Sequence, residues 1–205
     1  MTPKRPLEPK PGSKPKPGRR PQPKPRPAPH PAAKPALKLK FITTGGTIDK
    51  VYFDATSEFE VGPPQVREIL QDANVTFEFE IESVLRKDSL DLTAADRRLI
   101  RDLIERDPHA RIVVTHGTDT MIRTALALEG IPNKTIVLTG SMQPARFRNT
   151  DAVFNIGTAI AAAQVLPPGV YLAMNGRIFN PRHLQKNRRR HCFEPTAPDQ
   201  PHGPL

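Results

Sequence analysis

Two short segments combine threonine hydroxyls with glycine, a combination suited to nucleophilic chemistry. Residues 43–48 read TTGGTI, and residues 115–120 read THGTDT. Glycine permits a tight turn and lets a ligand approach the backbone, so Thr47 is expected to present its hydroxyl in a crevice. Thr118 precedes a predicted helix, whose partial positive charge favours a developing alkoxide or a carboxylate. A threonine hydroxyl is a weak nucleophile, so a base or electrostatic assistance must accompany it.

The first segment also has a structural interpretation. A glycine pair after a strand can be a plain turn or a nucleotide-binding loop, which requires G-x-G-x-x-G and an acidic residue about 20 positions further on. Gly45 and Gly46 are not followed by a third glycine at the required position. Either segment alone is more often structural than catalytic, but the two together favour a functional site.

The elements that must position these segments alternate between strands and helices. Apolar runs and period-two alternation predict strands at residues 37–43, 77–82, 112–114, 135–138 and 170–174. Helical spacing and capping signals predict helices at residues 63–72, behind Thr93, at 120–128 and at 150–163. This alternation predicts an α/β fold, a three-layer α/β/α sandwich of the flavodoxin/Rossmann-like kind with a mostly parallel sheet. In such folds, sites collect at the carboxyl ends of the strands.

Residues 38–186, which include both threonine segments, resemble the bacterial type I and type II L-asparaginases and their glutaminase-asparaginase relatives. The two segments match the family signatures in the expected order, and shorter matches occur at residues 87–89 (KDS), at 140–144 (GSMQP) and from Met174-Asn175 to Lys186. The resemblance implies hydrolysis of asparagine to aspartate and ammonia by a homodimer or homotetramer. It implies no metal and no organic cofactor.

The resemblance also assigns roles to individual residues. Thr47 is the expected primary nucleophile, while Thr118, Asp119 and Lys186 are the second threonine and its activating pair. Ser89 and Asp119 are expected to hold the α-carboxylate and α-amino groups of the substrate. Ser141 is expected to lend its backbone carbonyl to the substrate amide.

Physical chemistry refines these roles. Lys186 could accept a proton only if it were neutral, whereas the carboxylate of Asp119 stabilises its charged form. Asp119 is therefore interpreted mainly as a clamp for the substrate ammonium and for the lysine. Backbone N–H groups of the two loops, which contain Gly46 and Gly117, are candidates for an oxyanion site. Because His116 directly follows a buried strand, we expect it to pack and hydrogen-bond locally.

Several features depart from the family pattern. Phe59, in the segment EFEVG, replaces a tyrosine of the mobile loop, and Tyr52 is the candidate substitute for its hydroxyl. Leu90 replaces a glutamine that contacts the substrate. The chain ends 19 residues after Lys186, where most family members continue into a second domain. The expectation is therefore a short-chain member with the N-terminal domain only and a more open site.

Charge and proline are concentrated in the first 36 residues, which hold ten Lys/Arg, one acidic residue and 13 of the 25 prolines. Proline at this density removes backbone donors and prevents a regular helix, so residues 1–36 are predicted to be a disordered tail. This tail could be a solubilising extension or a weak docking segment for nucleic acid or an anionic membrane. It lacks aromatic residues that could stack on bases, so specific nucleic-acid binding is not expected.

These observations define the expected domains and surroundings. Residues 37–187 are predicted to form the α/β domain, and residues 188–205 a disordered C-terminal tail. No apolar run approaches the ~20 residues that cross a bilayer, so membrane insertion is not expected. Cys192 is the single cysteine, and the cytoplasm is the expected compartment.

Two alternatives to an asparaginase remain open from sequence alone. One is an enzyme that hydrolyses glutamine or another small amide through the same threonines. The other is a non-catalytic module that binds asparagine or aspartate. The combined presence of Thr47, Thr118, Asp119 and Lys186 argues against the module, because binding alone does not need all of them.

Overall fold

The structure is a computed structural model that describes residues 37–53 and 58–196. The predicted N-terminal tail, residues 1–36, lies outside the described residues. The described strands are β1 (Lys38–Gly45), β2 (Lys50–Phe53), β3 (Glu58–Val61), β4 (Glu78–Lys87), β5 (Arg111–Thr115), β6 (Thr135–Thr139), β7 (Gly169–Met174), β8 (Arg177–Phe179), β9 (Leu184–Asn187) and β10 (Cys192–Pro195). The described α-helices are α1 (Val66–Asp72), α2 (Ala94–Arg106), α3 (Met121–Leu128) and α4 (Ala152–Val165).

The main sheet contains six strands in the order β4, β1, β5, β6, β7 and β8. Neighbouring strands are parallel, except that β7 and β8 are antiparallel. Each predicted strand and helix has a counterpart in the structure, and the predicted mostly parallel sheet is confirmed.

Helices cover both faces of this sheet. One apolar core lies between the sheet and helices α2 and α3, and a second lies between the sheet and helices α1 and α4. Successive residues of a strand point to opposite faces, so Phe41 and Ile42 enter different cores, as do Val113 and Val114. Strands covered on both sides are continuously apolar, which explains the unbroken run at 112–114. The predicted three-layer α/β/α arrangement is confirmed.

The strand order creates a topological switch point between β1 and β5. The chain leaves β1 and returns as β4 on one side, then crosses to β5 on the other side of β1. From β5 it continues outward through α3 to β6. Connections that leave two adjacent strands in opposite directions open a crevice at the carboxyl ends of those strands. The two threonine segments begin at the carboxyl ends of these two strands and continue into the loops that follow.

Local signals in the sequence account for several element boundaries. The predicted cap of α2 is present as a reciprocal capping box, in which the Thr93 hydroxyl accepts from the Asp96 N–H and the Asp96 carboxylate accepts from the Thr93 N–H. Strand β4 forms one edge of the sheet, and its outward Glu78 pairs with Lys38 at 3.2 Å. The glutamates that alternate with apolar residues along β4 therefore lie on an edge strand.

Residues 49–62, for which the sequence analysis predicts neither a strand nor a helix, contain two short strands. Strands β2 and β3 pair antiparallel within this segment, with Tyr52 opposite Phe59 and Val51 opposite Glu60. Aromatic and β-branched residues favour strands, and the intervening acidic residues masked this signal. The antiparallel strand β8, which follows the Asn175-Gly176 turn, was also missed because it contains only three residues.

The expected disordered C-terminal tail, residues 188–205, is wrong for its first part. Residues 188–196 are described, and β10 pairs antiparallel with β9 within them. Phe193 is 3% exposed and joins the core beneath α3. Burial of this aromatic side chain stabilises a segment whose arginines and prolines otherwise suggested fraying. Residues 197–205 lie outside the described part of the chain.

Candidate active site

The first loop of the site follows β1 and depends on two glycines. Gly45 and Gly46 adopt φ angles of +93° and +90°, which side-chain-bearing residues rarely adopt. A Cβ atom on Gly46 would lie 2.4 Å from the backbone of Gly117. The two loops therefore touch through glycine backbone, and Thr47 follows in a short 3₁₀ turn with its side chain partly exposed.

The second loop follows β5 and contains Thr118 and Asp119. The His116 N–H donates to the Thr139 carbonyl at 2.8 Å, which extends the pairing of β5 with β6 into the loop. Thr118 is only 4% exposed, and α3 begins three residues later at Met121. The predicted position of Thr118 just before a helix is therefore correct.

Lys186 reaches the second loop from β9. Its Nζ atom lies 2.7 Å from Thr118 Oγ1 and 3.1 Å from Asp119 Oδ1. The structure thus brings together three of the predicted catalytic residues that are 67 and 68 positions apart in the chain. The lysine side chain is largely buried, whereas that of Asp119 is about one-third exposed.

The pairing of β9 with β10 positions Lys186. Phe193 lies opposite Lys186 in this pair, and its N–H donates to Asn175 Oδ1 at 2.9 Å. The Asn175 N–H donates in turn to Asn155 Oδ1 at 3.1 Å. Two asparagines therefore connect the lysine-bearing strands to α4 and to the turn after β7.

Ser89 follows β4 and lies against the second loop. A Cβ on Gly117 would lie 2.8 Å from Ser89 Oγ, and the Ser89 carbonyl accepts from the Thr120 hydroxyl at 2.6 Å. The Ser89 hydroxyl is buried and has no hydrogen-bond partner within the described part of the chain. An unpaired buried hydroxyl is unfavourable, so this oxygen is suited to bind a ligand atom.

Ser141 lies in the loop after β6. A Cβ on the preceding Gly140 would lie 2.2 Å from the His116 carbonyl, so this loop also packs on the second one. The Asp151 carboxylate accepts from the Met142 N–H at 3.0 Å and fixes the loop. Ser141 is 1% exposed, and its hydroxyl donates to the carbonyl of Gln143. The loops that follow the adjacent parallel strands β4, β1, β5 and β6 therefore meet at the carboxyl ends of these strands.

The proposed oxyanion donors are only partly available. The Gly46 N–H already donates to the Lys87 carbonyl at 3.0 Å. Gly46 therefore contributes through its missing side chain, which allows the close approach to Gly117, and not through its N–H. Sequence alone could not reveal this, because the bond joins the first loop to the end of β4.

His116 has the structural role predicted for it. It is fully buried, and burial lowers the pKa of its imidazole to about 4, so the ring is neutral near pH 7. Nδ1 lies 2.7 Å from the Gly117 carbonyl, and Nε2 lies 2.8 Å from Thr124 Oγ1. Arg97 Nε donates to this same Thr124 oxygen. The Thr124 hydroxyl can then donate to Nε2, which leaves the proton on Nδ1 to hold the Gly117 carbonyl.

Asp49 is a buried carboxyl group that the sequence interpretation missed. It is 2% exposed, and burial raises its pKa to about 7, although the backbone bond from Gln65 and the charge of Arg86 act in the opposite direction. Asp49 Oδ1 accepts from the Gln65 N–H at 2.8 Å, and its carbonyl accepts from the Gly62 N–H at 2.8 Å. In the sequence, the signal that could have pointed to Asp49 is its position two residues after Thr47.

The departures at Phe59 and Tyr52 lie on the β2–β3 pair. The two rings contact each other with centroids 5.4 Å apart, and Phe59 also contacts Phe147. Tyr52 is 53% exposed, and its hydroxyl forms no hydrogen bond with another described residue. The structure places Tyr52 beside Phe59, and its hydroxyl forms no hydrogen bond with Thr47.

Two kinds of feature are absent from the described residues. Within residues 37–53 and 58–196, no cluster of His, Cys, Asp and Glu has the size and spacing to hold a metal ion. Across that same part of the chain, every helix is too short or too polar to traverse a bilayer.

The fold and the site define a class: three-layer α/β/α proteins with threonine, aspartate and lysine side chains grouped at a topological switch point. Residues 38–201 match the family model described as asparaginase, N-terminal. This match covers most of the chain, which therefore belongs to the asparaginase family.

Curated relatives and solved structures agree with this assignment. The chain is 36% identical to the L-asparaginase of Thermococcus kodakarensis over 70% of its own length and 45% of the relative's. It is 35% identical to the glutaminase-asparaginase of Acinetobacter glutaminasificans over 63% of its own length and 40% of the relative's. The solved structure of the Thermococcus kodakarensis enzyme matches with a TM-score of 0.67 at 30% identity, covering 78% of this chain and 51% of that one. The chain thus spans about half the length of the curated relatives it matches.

Proposed function

We propose that this protein hydrolyses the side-chain amide of L-asparagine to aspartate and ammonia. The observation that carries the proposal is the contact of Lys186 Nζ with Thr118 Oγ1 at 2.7 Å and with Asp119 Oδ1 at 3.1 Å. A threonine hydroxyl acts as a nucleophile or proton donor only with such electrostatic assistance. The matched relatives are named L-asparaginase and glutaminase-asparaginase, which supports asparagine as the substrate.

In the proposed reaction, the Thr47 oxygen attacks the carbon of the side-chain amide. The C–N bond breaks, the nitrogen leaves as ammonia, and an ester to Thr47 remains. Water hydrolyses this ester, which releases aspartate and restores the hydroxyl. Lys186 Nζ donates to Thr118 Oγ1, so the Thr118 proton is free to be given to the leaving nitrogen. The proton that Thr47 loses on attack then restores the Thr118 hydroxyl, and the net transfer is from Thr47 to ammonia.

The binding roles remain part of the proposal. Ser89, whose buried hydroxyl has no partner among the described residues, binds the α-carboxylate. Asp119 binds the α-ammonium group, and Ser141 offers its backbone carbonyl to the substrate amide. Gly46 and Gly117 allow the loops and the substrate to approach each other without a side chain between them.

Ammonia release by the purified full chain tests the proposal. We expect release from L-asparagine, with L-glutamine as the comparison substrate, and we expect Lys186→Met to abolish it. Lys38→Met, at the exposed first residue of β1, is the matched control and should leave the rate unchanged. Binding of L-asparagine without ammonia release would instead indicate a non-catalytic module. A preference for L-glutamine would indicate a glutaminase.

We also propose that the protein is cytoplasmic and forms a homodimer or homotetramer. Val153, Phe154 and Ile178 expose large apolar side chains on α4 and β8, and such patches often form interfaces. A free cysteine, Cys192, is compatible with a reducing compartment. Sedimentation at micromolar concentration should give a dimer or larger species, and a monomer with full activity would contradict this assembly.

A further inference from the structure

The carboxylate of Asp119 has a second cationic neighbour besides Lys186. Arg188 Nη2 lies 3.3 Å from Asp119 Oδ1, the same oxygen that Lys186 Nζ contacts at 3.1 Å. The two cations differ in accessibility, because the side chain of Arg188 is 72% exposed and that of Lys186 is 15% exposed. Arg188 therefore lies at the solvent side of the site, whereas Lys186 lies beneath it.

The charges around Asp119 do not balance. Within the described part of the chain, Asp119 is the only acidic residue that pairs with either Lys186 or Arg188. One carboxylate thus faces two cations, which leaves a net positive charge beside the second loop. An ion pair as exposed as the one between Arg188 and Asp119 contributes little to stability, so a ligand can displace it at small cost.

An α-amino acid complements such a pair. Its ammonium and carboxylate groups are attached to the same carbon, so a binding site needs an anion and a cation side by side. Asp119 supplies the anion, and the planar guanidinium of Arg188 can bind a carboxylate through two parallel hydrogen bonds. We propose that Arg188 is a specificity-determining residue that binds the α-carboxylate of the substrate while Asp119 binds its ammonium group. This inference rests on the proposed function.

The region around Ser89 supports this assignment. The Ser89 hydroxyl is buried and without a partner among the described residues, and it can donate one hydrogen bond to a carboxylate. The adjacent Leu90 is 65% exposed and apolar, so it cannot supply another. A carboxylate has about four acceptor positions in its two oxygens, and Arg188 can fill those that Ser89 and Leu90 leave open.

The test compares three amides that differ in their charged groups. L-asparagine carries both an α-ammonium and an α-carboxylate group, succinamic acid lacks the α-ammonium, and 3-aminopropanamide lacks the α-carboxylate. In the full chain, Arg188→Gln should lower kcat/KM for L-asparagine and succinamic acid by about tenfold to a hundredfold, mainly through KM. The value for 3-aminopropanamide should stay unchanged. For L-asparagine and succinamic acid, the kcat/KM of Arg188→Lys should lie between those of the unaltered protein and Arg188→Gln. Lysine keeps the charge but lacks the planar guanidinium.

Arg189→Gln is the matched control, because Arg189 is an adjacent exposed arginine that forms no ion pair within the described residues. It should behave as the unaltered protein with all three amides. An equal loss with all three amides for Arg188→Gln, or no change in KM, would overturn the inference.

A binding measurement separates this inference from the proposed function. Calorimetric titration with L-aspartate, the proposed product, needs no turnover, and Arg188→Gln should weaken the Kd by about tenfold or more. If no amide is hydrolysed but this loss is observed, the proposed function fails and the carboxylate site stands. If asparagine is hydrolysed and L-aspartate binding is absent or does not depend on Arg188, the inference is wrong and the proposed function stands.

Discussion

The two threonines and the lysine of the candidate site stand on very different supports. Thr47 and Thr118 follow β1 and β5, two adjacent strands of a six-stranded sheet that is covered on both faces. Lys186 stands on a two-stranded sheet whose strands are four residues each. Isolated pairs of strands are marginally stable in water, so β9 and β10 depend on Leu184 and Phe193 entering the core.

This difference separates the stability of the site from the stability of the fold. Opening of the main sheet requires global unfolding, whereas opening of β9 and β10 disrupts only a few buried contacts. We therefore expect states in which both threonines are in place and Lys186 is not. The hydroxyl side of the site, which consists of Thr47 and Thr118, is fixed by the main sheet. The cationic side, which consists of Lys186, is fixed by the local contacts of β9 and β10.

The largest expected effect tests the hydroxyl side. Thr47→Ala and Thr118→Val should each lower kcat by roughly 10²–10⁴-fold or more, because they remove groups that act mainly in the transition state. Steady-state assays with L-asparagine measure this, and Thr47→Ser should keep measurable activity because the oxygen remains. Thr158→Val, on the exposed side of α4, is the control and should be neutral. Near-normal turnover by both site variants would contradict the threonine mechanism.

The next effect tests the anchor of the cationic side. Phe193→Ala should release β9 and β10, so that kcat approaches that of Lys186→Met while the main sheet remains folded. Core Phe→Ala changes cost about 3–5 kcal/mol, and we expect the global free energy of unfolding to fall by less. Hydrogen exchange should rise in β9 and β10 and not in β1. Phe77→Ala, beside the second core, is the control and should lower stability without lowering kcat.

A third effect concerns two buried groups beneath the loops, Asp49 and His116. The pKa of Asp49 rises from 3.8 to about 7 on folding. The contribution of its protonated form to the stability of the protein is therefore lost as pH rises from 3.8 toward 7. The pKa of His116 falls from 6.5 to about 4 on folding. The contribution of its neutral form to the stability of the protein is therefore lost as pH falls from 6.5 toward 4. Between pH 4 and 6.5 these two contributions have opposite slopes and should largely cancel.

Asp49→Asn should expose the contribution of His116, because asparagine keeps the acceptor for the Gln65 N–H. The free energy of unfolding of this variant should rise between pH 4 and 6.5 by on the order of 3 kcal/mol, whereas the unaltered protein should change little. Urea unfolding across this pH range measures the difference. Identical slopes in the two proteins would show that Asp49 ionises normally.

The smallest expected effect concerns the aromatic pair on β2 and β3. Since the Tyr52 hydroxyl forms no hydrogen bond with Thr47, Tyr52→Phe should change kcat by less than about threefold, well below the contribution of a positioned proton donor or acceptor. Phe59→Tyr, which restores the family's hydroxyl, should raise kcat. A large loss in Tyr52→Phe would mean that Tyr52 moves to Thr47 when substrate binds.

The sequence predicted the main sheet well because its strands and helices carry strong periodic signals. The apolar run at 112–114 and the capping box at Thr93 each reflect short-range physics that a linear sequence contains. The grouping of the loops after β1 and β5 followed from the rule for parallel sheets. The role of each site residue stays a prediction until activity is measured.

What the sequence did not predict depends on distant contacts. The order of β9 and β10 requires Phe193 to enter a core built by other elements, and the Gly46 N–H is occupied by a carbonyl of β4. The burial of Asp49 likewise depends on Gln65 and the turn at Gly62. None of these partners is marked by local periodicity, so charge and proline content dominated the prediction for the C-terminal segment.

The placement of Lys186 after the main sheet in the chain has a consequence for biosynthesis. A ribosome adds about 5–20 residues per second from the N-terminus, so β1 to β8 can leave the exit tunnel before β9 and β10. The nascent chain can then fold its sheet with both threonine loops formed while the lysine is still inside the ribosome. Under the proposed function, hydrolysis cannot begin until β9 and β10 have emerged.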